Sequence, residues 1–248
     1  MPNLTSHLGL ALEALERWGH PVLEDNLGSY LLGSASPDIR IITRQPRDHT
    51  HFSALDSQGV DVGVAAMLER HPRLARPKDL SKATQAFIAG YITHLVADQV
   101  WIIDIYRPYF GNPQVYEDRA EGNVMDRALQ LEIDRQDRHV WPKAAPLLEG
   151  VERAIEVEFI TPEVLKEWRQ WVQGHGDRGF SWDRLHGLAL RRQDPNDDAQ
   201  ARALADRFLA SVPKGLEQIY QRVPQERVAD FRKRAIAEFT QIIKEYLR

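Results

Sequence analysis

The sequence predicts an all-α protein, because apolar residues recur every three or four positions along most of the chain. No alternating run of apolar and polar residues is long enough to predict a strand, and Pro and Gly separate the helical segments. A hydrophobic fraction of 43% and a charged fraction of 27% are typical of a folded globular chain. The fold class we predict is therefore a multi-helix, all-α structure.

The individual helices follow from the positions of the apolar repeats and of the breaks between them. Helices are predicted over residues 4–18, 26–32, 60–69, 81–106, 116–137, 162–172, 199–212 and 225–247. The first has Thr5 or Ser6 as its N-cap. Residues 39–58, which include Pro46, are predicted as a loop. The Gly-rich residues 173–180 and the polar residues 191–198 are predicted as breaks.

The composition changes near Gly150, where charged amphipathic helices replace histidine-containing apolar segments. This change predicts a metal-binding helical core over residues 1–150 and a helical extension over residues 151–248. We expect the extension to pack on the core, with a separate second domain as the alternative.

Charge and residue usage exclude several classes of protein. A net charge of −4 gives no strong signal for nucleic-acid binding. The absence of cysteine excludes disulfides, thiolate metal sites and a cysteine nucleophile. The start of the sequence shows no basic leader followed by an apolar core, so we expect a cytoplasmic protein. The most apolar stretch contains His94, Asp98 and Asp104, which makes it a poor membrane span.

The long helix predicted over residues 81–106 contains His94 and Asp98 in an otherwise apolar sequence. A spacing of four residues places both side chains on one helix face, one turn apart. Burying a carboxylate is costly unless it is paired or binds a metal. The pair therefore indicates either two metal ligands or a buried His–Asp ion pair.

Further candidate ligands lie in the first third of the chain. His7 is near the start of the first helix, and Asp38 follows Pro37 in a tight turn. His49 and His51 lie two residues apart in the predicted loop. Together with the pair on the long helix they form a ligand set of nitrogen and oxygen only. Such a set suits zinc, and also iron or manganese.

The order of these motifs resembles that of the bacterial zinc-dependent phospholipase C family, which is related to the single-strand-specific zinc nucleases. The motifs are Gly33-Ser34-x-x-Pro37-Asp38-Ile39, Asp48-His49-x-His51-Phe52 and Gly90-Tyr91-x-x-His94-x-x-x-Asp98. The resemblance covers roughly residues 1–105. It implies a phospholipase C/zinc-nuclease-like helical core and a cluster of up to three zinc ions that cleaves a phosphodiester.

The resemblance also implies roles for individual residues. Those that match the family's first complete zinc site are Asp38, His51, His94 and Asp98. His7 matches the histidine that holds a second ion together with Asp98 and the terminal backbone. His49 is an alternative to His51, because the length of the loop does not decide between them.

The chain departs from the family at the remaining zinc site. That site uses a His-x-x-x-Glu or His-x-x-x-Asp pair after the long helix, and no such pair follows here. The carboxylates that stand on the next helix instead are Glu121, Asp126 and Glu132. Their spacing equally fits a solvated helix face, which we expect for each of them. We therefore predict one or two zinc ions rather than three.

The function predicted from these motifs is a zinc-dependent phosphoester hydrolase resembling phospholipase C, in which metal-activated water attacks a phosphodiester. Asp38 orients that water or acts as base. Arg40, Arg44 and Arg47 are candidates to hold the phosphate of a small-molecule or lipid substrate, or else belong to a solvated loop.

Two other functions compete with this one. The site could be a degenerate metal-binding helical scaffold, or the protein an interaction module without catalysis. A His-Asp-type phosphohydrolase ranks last, because the sequence has only the reversed dipeptide Asp48-His49.

Overall fold

Helices form nearly all of the regular structure in the computed structural model, which describes residues 1–190 and 195–248. No strand occurs among these residues, so the predicted all-α class is confirmed. The first helices are α1 (Leu4–Trp18), α2 (Pro21–Asp25), α3 (Leu27–Ala35), a 3-10 turn (Ser36–Ile39), α4 (Arg40–Thr43), α5 (Arg47–His51) and α6 (Val62–Arg70).

The later helices begin with the longest apolar one, which continues into a π-helical segment. They are α7 (Lys82–Trp101), the π-helical segment (Ile102–Phe110), α8 (Arg119–Asp137), α9 (Trp141–Leu147), α10 (Pro162–Asp177), α11 (Arg184–Ala189), α12 (Pro195–Leu209), α13 (Val212–Arg222) and α14 (Gln225–Tyr246). Single 3-10 turns lie at Pro77–Asp79, Arg138–Val140 and Val151–Ala154.

Helix α7 lies at the centre of the fold and is buried along almost its whole length. It begins at a side-chain cap, because the Ser81 hydroxyl accepts the Thr84 N–H. Helices α3 and α14 pack on it, and α14 also packs on α1. One hydrophobic core therefore contains side chains from both sides of Gly150.

The contact between α3 and α7 is close because each helix presents a glycine to the other. A Cβ on Gly33 would lie 2.0 Å from the carbonyl oxygen of Phe87. A Cβ on Gly90 would lie 1.9 Å from the carbonyl oxygen of Tyr30. Only glycine fits at these two positions, so the backbones of α3 and α7 meet without intervening side chains.

The first turn of α1 is held by a carboxylate from α8. Asp134 Oδ1 accepts the backbone N–H groups of Thr5 at 2.9 Å and Ser6 at 3.2 Å. These are two of the N–H groups that a helix start leaves without an intrahelical partner. The residue before the helix is Asn3, so the predicted caps Thr5 and Ser6 are wrong: both lie inside the first turn. Asp134 also fixes the part of α1 that carries His7.

Some predicted helix boundaries are wrong for identifiable reasons. The loop predicted over residues 39–58 contains α4 and α5, each too short to show an apolar period. Helix α10 continues to Asp177 through the Gly-rich stretch, where a Cβ on Gly176 would lie 2.5 Å from the Trp141 ring. Helix α13 was not predicted, because Pro213 and Gly215 resemble breaks; Pro213 stands at the helix start, where proline is tolerated. Of the predicted polar break, residues 191–194 lie outside the described residues.

One helical stretch, Lys82–Phe110, is long and apolar enough to cross a membrane by length and composition. However, 94% of its most apolar window is buried by other helices, as in the core helix of a water-soluble protein. The prediction that the chain has no membrane span stays a prediction.

Candidate metal centre

Four segments of the chain bring histidine and aspartate side chains to one point in the core. Helix α1 carries His7, the 3-10 turn carries Asp38, α5 carries His51, and α7 carries His94 and Asp98. The three histidines are 1% exposed and Asp98 is 2% exposed. The Asp38 side chain is 24% exposed, so it forms the edge of the cluster that reaches solvent.

The distances within the cluster match those between ligands of one ion. A tetrahedral zinc site with bonds of about 2.1 Å has ligand atoms about 3.4 Å apart. Asp98 Oδ2 lies 3.3 Å from His51 Nε2 and 3.7 Å from His94 Nε2. Asp98 Oδ1 lies 3.4 Å from His7 Nε2, and Asp38 Oδ1 lies 3.9 Å from His51 Nε2. The polar atoms therefore surround a space of the size that a divalent ion fills.

Several polar atoms in the cluster are buried without a hydrogen-bond partner. These atoms are His7 Nε2, His51 Nε2 and Asp98 Oδ1. Buried polar groups are almost always hydrogen-bonded, so a group of such atoms facing one another needs an explanation. One or two bound cations would satisfy these atoms, and the residues present fit such ions.

The histidine rings are held so that their Nε2 atoms face the cluster. His94 Nδ1 lies 2.8 Å from the carbonyl oxygen of Ser34, and a carbonyl only accepts, so Nδ1 carries the proton. His51 Nδ1 lies 3.0 Å from the Thr50 hydroxyl, which itself donates to the Arg47 carbonyl. This arrangement leaves the Nε2 lone pairs of both rings free for a metal, as in known metal-binding histidines.

The cluster divides into two groups that share His94. One group is His7, His94 and Asp98, and the other is Asp38, His51 and His94; within each group the ligand atoms lie within 4.8 Å of one another. Because His94 Nε2 has one lone pair, it binds one ion only. A second ion would use His7 with Asp98 Oδ1, while Asp98 Oδ2 served the first. The geometry thus offers two overlapping groups of three ligands, with Asp98 placed to bridge two ions.

Burial sets the charge state of these side chains. Desolvation lowers the pKa of His94 to about 3, and desolvation with the neighbouring Arg47 lowers the pKa of His51. Burial opposes ionisation of Asp98, but the surrounding imidazoles and Arg47 outweigh it and hold its pKa well below the usual value. At neutral pH these two imidazoles are neutral and the carboxylate is ionised, as metal ligation requires.

Arg47 is the one candidate phosphate-binding arginine that contacts a side chain of the cluster among the described residues. Its Nη2 donates to Asp98 Oδ2 at 3.1 Å, and its side chain is 16% exposed. Its Nε and Nη1 are buried without a hydrogen-bond partner, as is the Nε of Arg40. Arg44 is exposed, and its backbone has a left-handed conformation at the end of α4. Among the described residues it forms no ion pair with the cluster.

The structure places His51 in the cluster and His49 at the exposed surface. Both lie on α5, where residues two apart point to nearly opposite sides of a helix. The sequence left the choice between them open because this segment was predicted as a loop.

The carboxylates of α8 are not uniformly solvated. Asp126 is 3% exposed, accepting the Trp101 indole N–H at 2.9 Å and the Gln130 amide at 2.7 Å. Glu132 is also buried and pairs with Arg135. The predicted solvated face is therefore wrong for Asp126 and Glu132, while Glu121 is partly exposed and pairs with Arg222. None of the three belongs to the two His/Asp groups found among the described residues.

Replacing His94 by Gln is expected to flatten the pH dependence of the stability of the metal-free protein. The pKa of this imidazole is about 3 in the folded protein and 6.5 in the unfolded chain. Between these values the unfolded chain binds a proton that the folded protein does not, so stability is lost as the pH falls from about 6.5 to about 3. Glutamine has no group that titrates in this range, so this loss of stability is absent from the variant.

The measurement is urea unfolding with a chelator present, at a series of pH values between 3 and 8. The wild type should lose stability on acidification more steeply than His94→Gln, and the two slopes should agree above pH 7. Equal slopes throughout would show that His94 is not held neutral.

Comparisons of the chain with protein-family models, with curated proteins and with solved structures found no match.

Proposed function

We propose that the cluster binds one or two divalent ions, with zinc the best fit, and that the protein is a metal-dependent phosphoester hydrolase. The observation that carries the proposal is the convergence of buried, unpartnered ligand atoms at the spacing of a tetrahedral site. Three imidazoles and two carboxylates suit zinc, with iron and manganese as alternatives. A phospholipase C-like core is part of the same proposal, supported by the motif order.

When bound, a divalent ion supplies Lewis-acid chemistry, which acidifies water and offsets the charge of a phosphoryl group. The protein's own residues orient the reactants around it. Asp38 is the most exposed of the ligands, and the histidines outweigh its burial and hold its pKa below the usual value. It is therefore ionised at neutral pH and able to orient the attacking water or to accept its proton.

Arg47 provides the phosphate contact in this proposal. Its Nη1 is buried without a partner, and the N–H groups of a guanidinium bind phosphoryl oxygens. Arg40 Nε, also buried and unpartnered, is a second donor in the same segment. Arg44 is exposed, so we assign it no role. The substrate class that fits is a small-molecule or lipid phosphoester.

A second candidate function is a metal-binding helical scaffold without catalysis. The observation in its favour is the contact of Arg47 with Asp98, which places a cation against a proposed ligand. A scaffold would bind the ion but cleave no ester, so an assay of phosphodiester hydrolysis distinguishes the two functions.

The test is metal analysis of protein purified without added metal, followed by hydrolysis of bis(p-nitrophenyl) phosphate. We expect at least one bound transition ion per chain and cleavage that a chelator abolishes. His51→Gln should lose ion and cleavage together, whereas the matched variant His49→Gln should keep both, since His49 is exposed.

The outcomes separate the functions. A bound ion without cleavage of this ester or of a phospholipid would favour the scaffold. Protein that takes up no ion even from excess zinc would overturn both.

A further inference from the structure

The guanidinium of Arg47 makes one hydrogen bond in the cluster and leaves two of its nitrogens without a partner. Nη2 donates to Asp98 Oδ2 at 3.1 Å, the same oxygen that lies 3.3 Å from His51 and 3.7 Å from His94. Nε and Nη1 are buried and donate to no atom of the described residues. A charged donor that is buried without an acceptor is costly, so these two N–H groups indicate a further partner.

We propose that Arg47 couples the binding of the metal to the binding of the substrate's oxyanion, so that each strengthens the other. The proposal rests on the proposed function. It adds a second role for Arg47, which links the metal site to the oxyanion site. Arg47 acts here as a positioning residue between Asp98 and the oxyanion.

Arg47 affects the binding of the metal through its charge. The positively charged guanidinium of Arg47 lies 3.1 Å from Asp98 Oδ2, one of the proposed ligand atoms. Arg47 holds Asp98 Oδ2, so its charge lies within a few ångströms of any ion that this oxygen binds. Like charges at such distances repel strongly in a poorly solvated site. Arg47 therefore lowers the affinity of the site for a divalent ion.

A bound oxyanion changes this effect of Arg47. A phosphoryl oxygen that accepts from Nη1 offsets the charge of the guanidinium and so weakens its repulsion of the ion. Because coupling between two binding sites is reciprocal, the ion must strengthen phosphate binding by the same factor. Affinity for the metal is thus lower in the free protein than in the complex with substrate.

The shape of arginine is needed for both contacts. Its planar guanidinium presents N–H groups in fixed directions and can hold Asp98 through Nη2 and an oxyanion through Nη1 at the same time. A lysine ammonium is a point charge on a flexible stem, so it keeps the repulsion of the ion but not the two directed contacts. Comparing Arg47→Lys with Arg47→Gln therefore distinguishes the effect of the charge from the effect of the directed hydrogen bonds.

The experiment measures the dissociation constant of zinc by competition with a chromophoric chelator, with and without inorganic phosphate, at fixed ionic strength. Couplings between two ligands are commonly about 5- to 150-fold. In wild type we expect phosphate to tighten zinc binding by roughly tenfold. In Arg47→Gln, zinc should bind roughly tenfold tighter than in wild type without phosphate, and phosphate should change the affinity much less.

Two further variants serve as controls. Arg47→Lys should keep the wild-type zinc affinity without phosphate and lose most of the coupling. Arg76→Gln removes the same charge at a side chain that is 71% exposed and lies 3.9 Å from Asp79. It should behave as wild type in both measurements, which excludes an effect of net charge alone.

If Arg47 only supported the structure of the site, Arg47→Gln would weaken zinc binding instead of tightening it. Weaker zinc binding in a folded Arg47→Gln, or unchanged coupling in Arg47→Lys, overturns the inference. If Arg47→Gln does not fold, the Arg47→Lys result alone decides. If zinc binds as expected but no ester is cleaved, only the proposed catalysis falls; if neither wild type nor Arg47→Gln binds zinc, both proposals fall.

Discussion

Asp98→Asn is expected to abolish both metal binding and phosphoester hydrolysis. Asp98 is the only residue in the described cluster whose two oxygens face different histidines: Oδ1 faces His7, and Oδ2 faces His51 and His94. Asparagine keeps the size of the side chain but removes its charge and one acceptor oxygen. A buried divalent ion would then be balanced by Asp38 alone. We expect zinc affinity and the rate of hydrolysis to fall by at least about a hundredfold, more than loss of an outer-shell partner causes.

The measurements are metal content after dialysis and hydrolysis of bis(p-nitrophenyl) phosphate. Asp104→Asn is the matched control: the same chemical change in the π-helical segment that follows α7, at a residue that pairs with Arg234 on α14. It should retain both properties. Full metal content in a folded Asp98→Asn protein would contradict the assignment of the site.

Gly90→Ala is expected to cause a large loss of stability. The new Cβ would lie 1.9 Å from the Tyr30 carbonyl oxygen and 2.8 Å from the backbone nitrogen of Ser34. Both atoms belong to the backbone of α3, so no side chain can rotate away and the two helices must separate. Overpacking a core typically costs about 1–3 kcal/mol and occasionally more, and we expect about 3 kcal/mol here because the clash is with backbone.

The check is the free energy of unfolding from urea denaturation of the metal-free protein. Gly187→Ala is the control, because it lies in α11 and, among the described residues beyond its own helix backbone, no atom lies within 4 Å of the new Cβ. It should be neutral or stabilising by about 0.5–1 kcal/mol, the usual preference for alanine over glycine in a helix. If Gly90→Ala were as stable as Gly187→Ala, the close approach of α3 and α7 would be wrong.

The Gly90→Ala variant also bears on the site. Ser34, whose carbonyl oxygen accepts from His94, lies on α3 at this same contact. Separating the helices would remove the acceptor that orients the imidazole. Zinc affinity should therefore fall in any Gly90→Ala protein that still folds, although the substitution touches no ligand.

Much of the architecture was predictable because long apolar helices have strong periodicity. The start of α7 at Ser81 and the length of α14 both follow from the sequence. Short helices do not, since α4 and α5 have at most five residues each and their form depends on packing. The same limitation explains why the sequence left open the choice between His49 and His51.

The site was predictable in part. The structure brings Asp38, His51, His94, Asp98 and His7 together, and the residue types and motif order indicated this set. The supporting contacts were not predictable: nothing in the sequence indicates that Ser34 orients His94, or that Arg47 binds Asp98, since both depend on how separate helices meet in space. The burial of Asp126 is of the same kind, because its partner Trp101 is on another helix.

The position of the candidate ligands on four separate segments has a consequence for the whole chain. An ion held there cross-links residues as far apart as 7 and 98, in a sequence without cysteine and therefore without disulfides. Because the unfolded chain does not assemble this site, the free energy of ion binding adds to the free energy of folding. The stability of the proposed holo-protein then rises with the concentration of free ion by mass action. If the proposed site is occupied, the supply of the metal would in this way set how long the protein survives proteolysis.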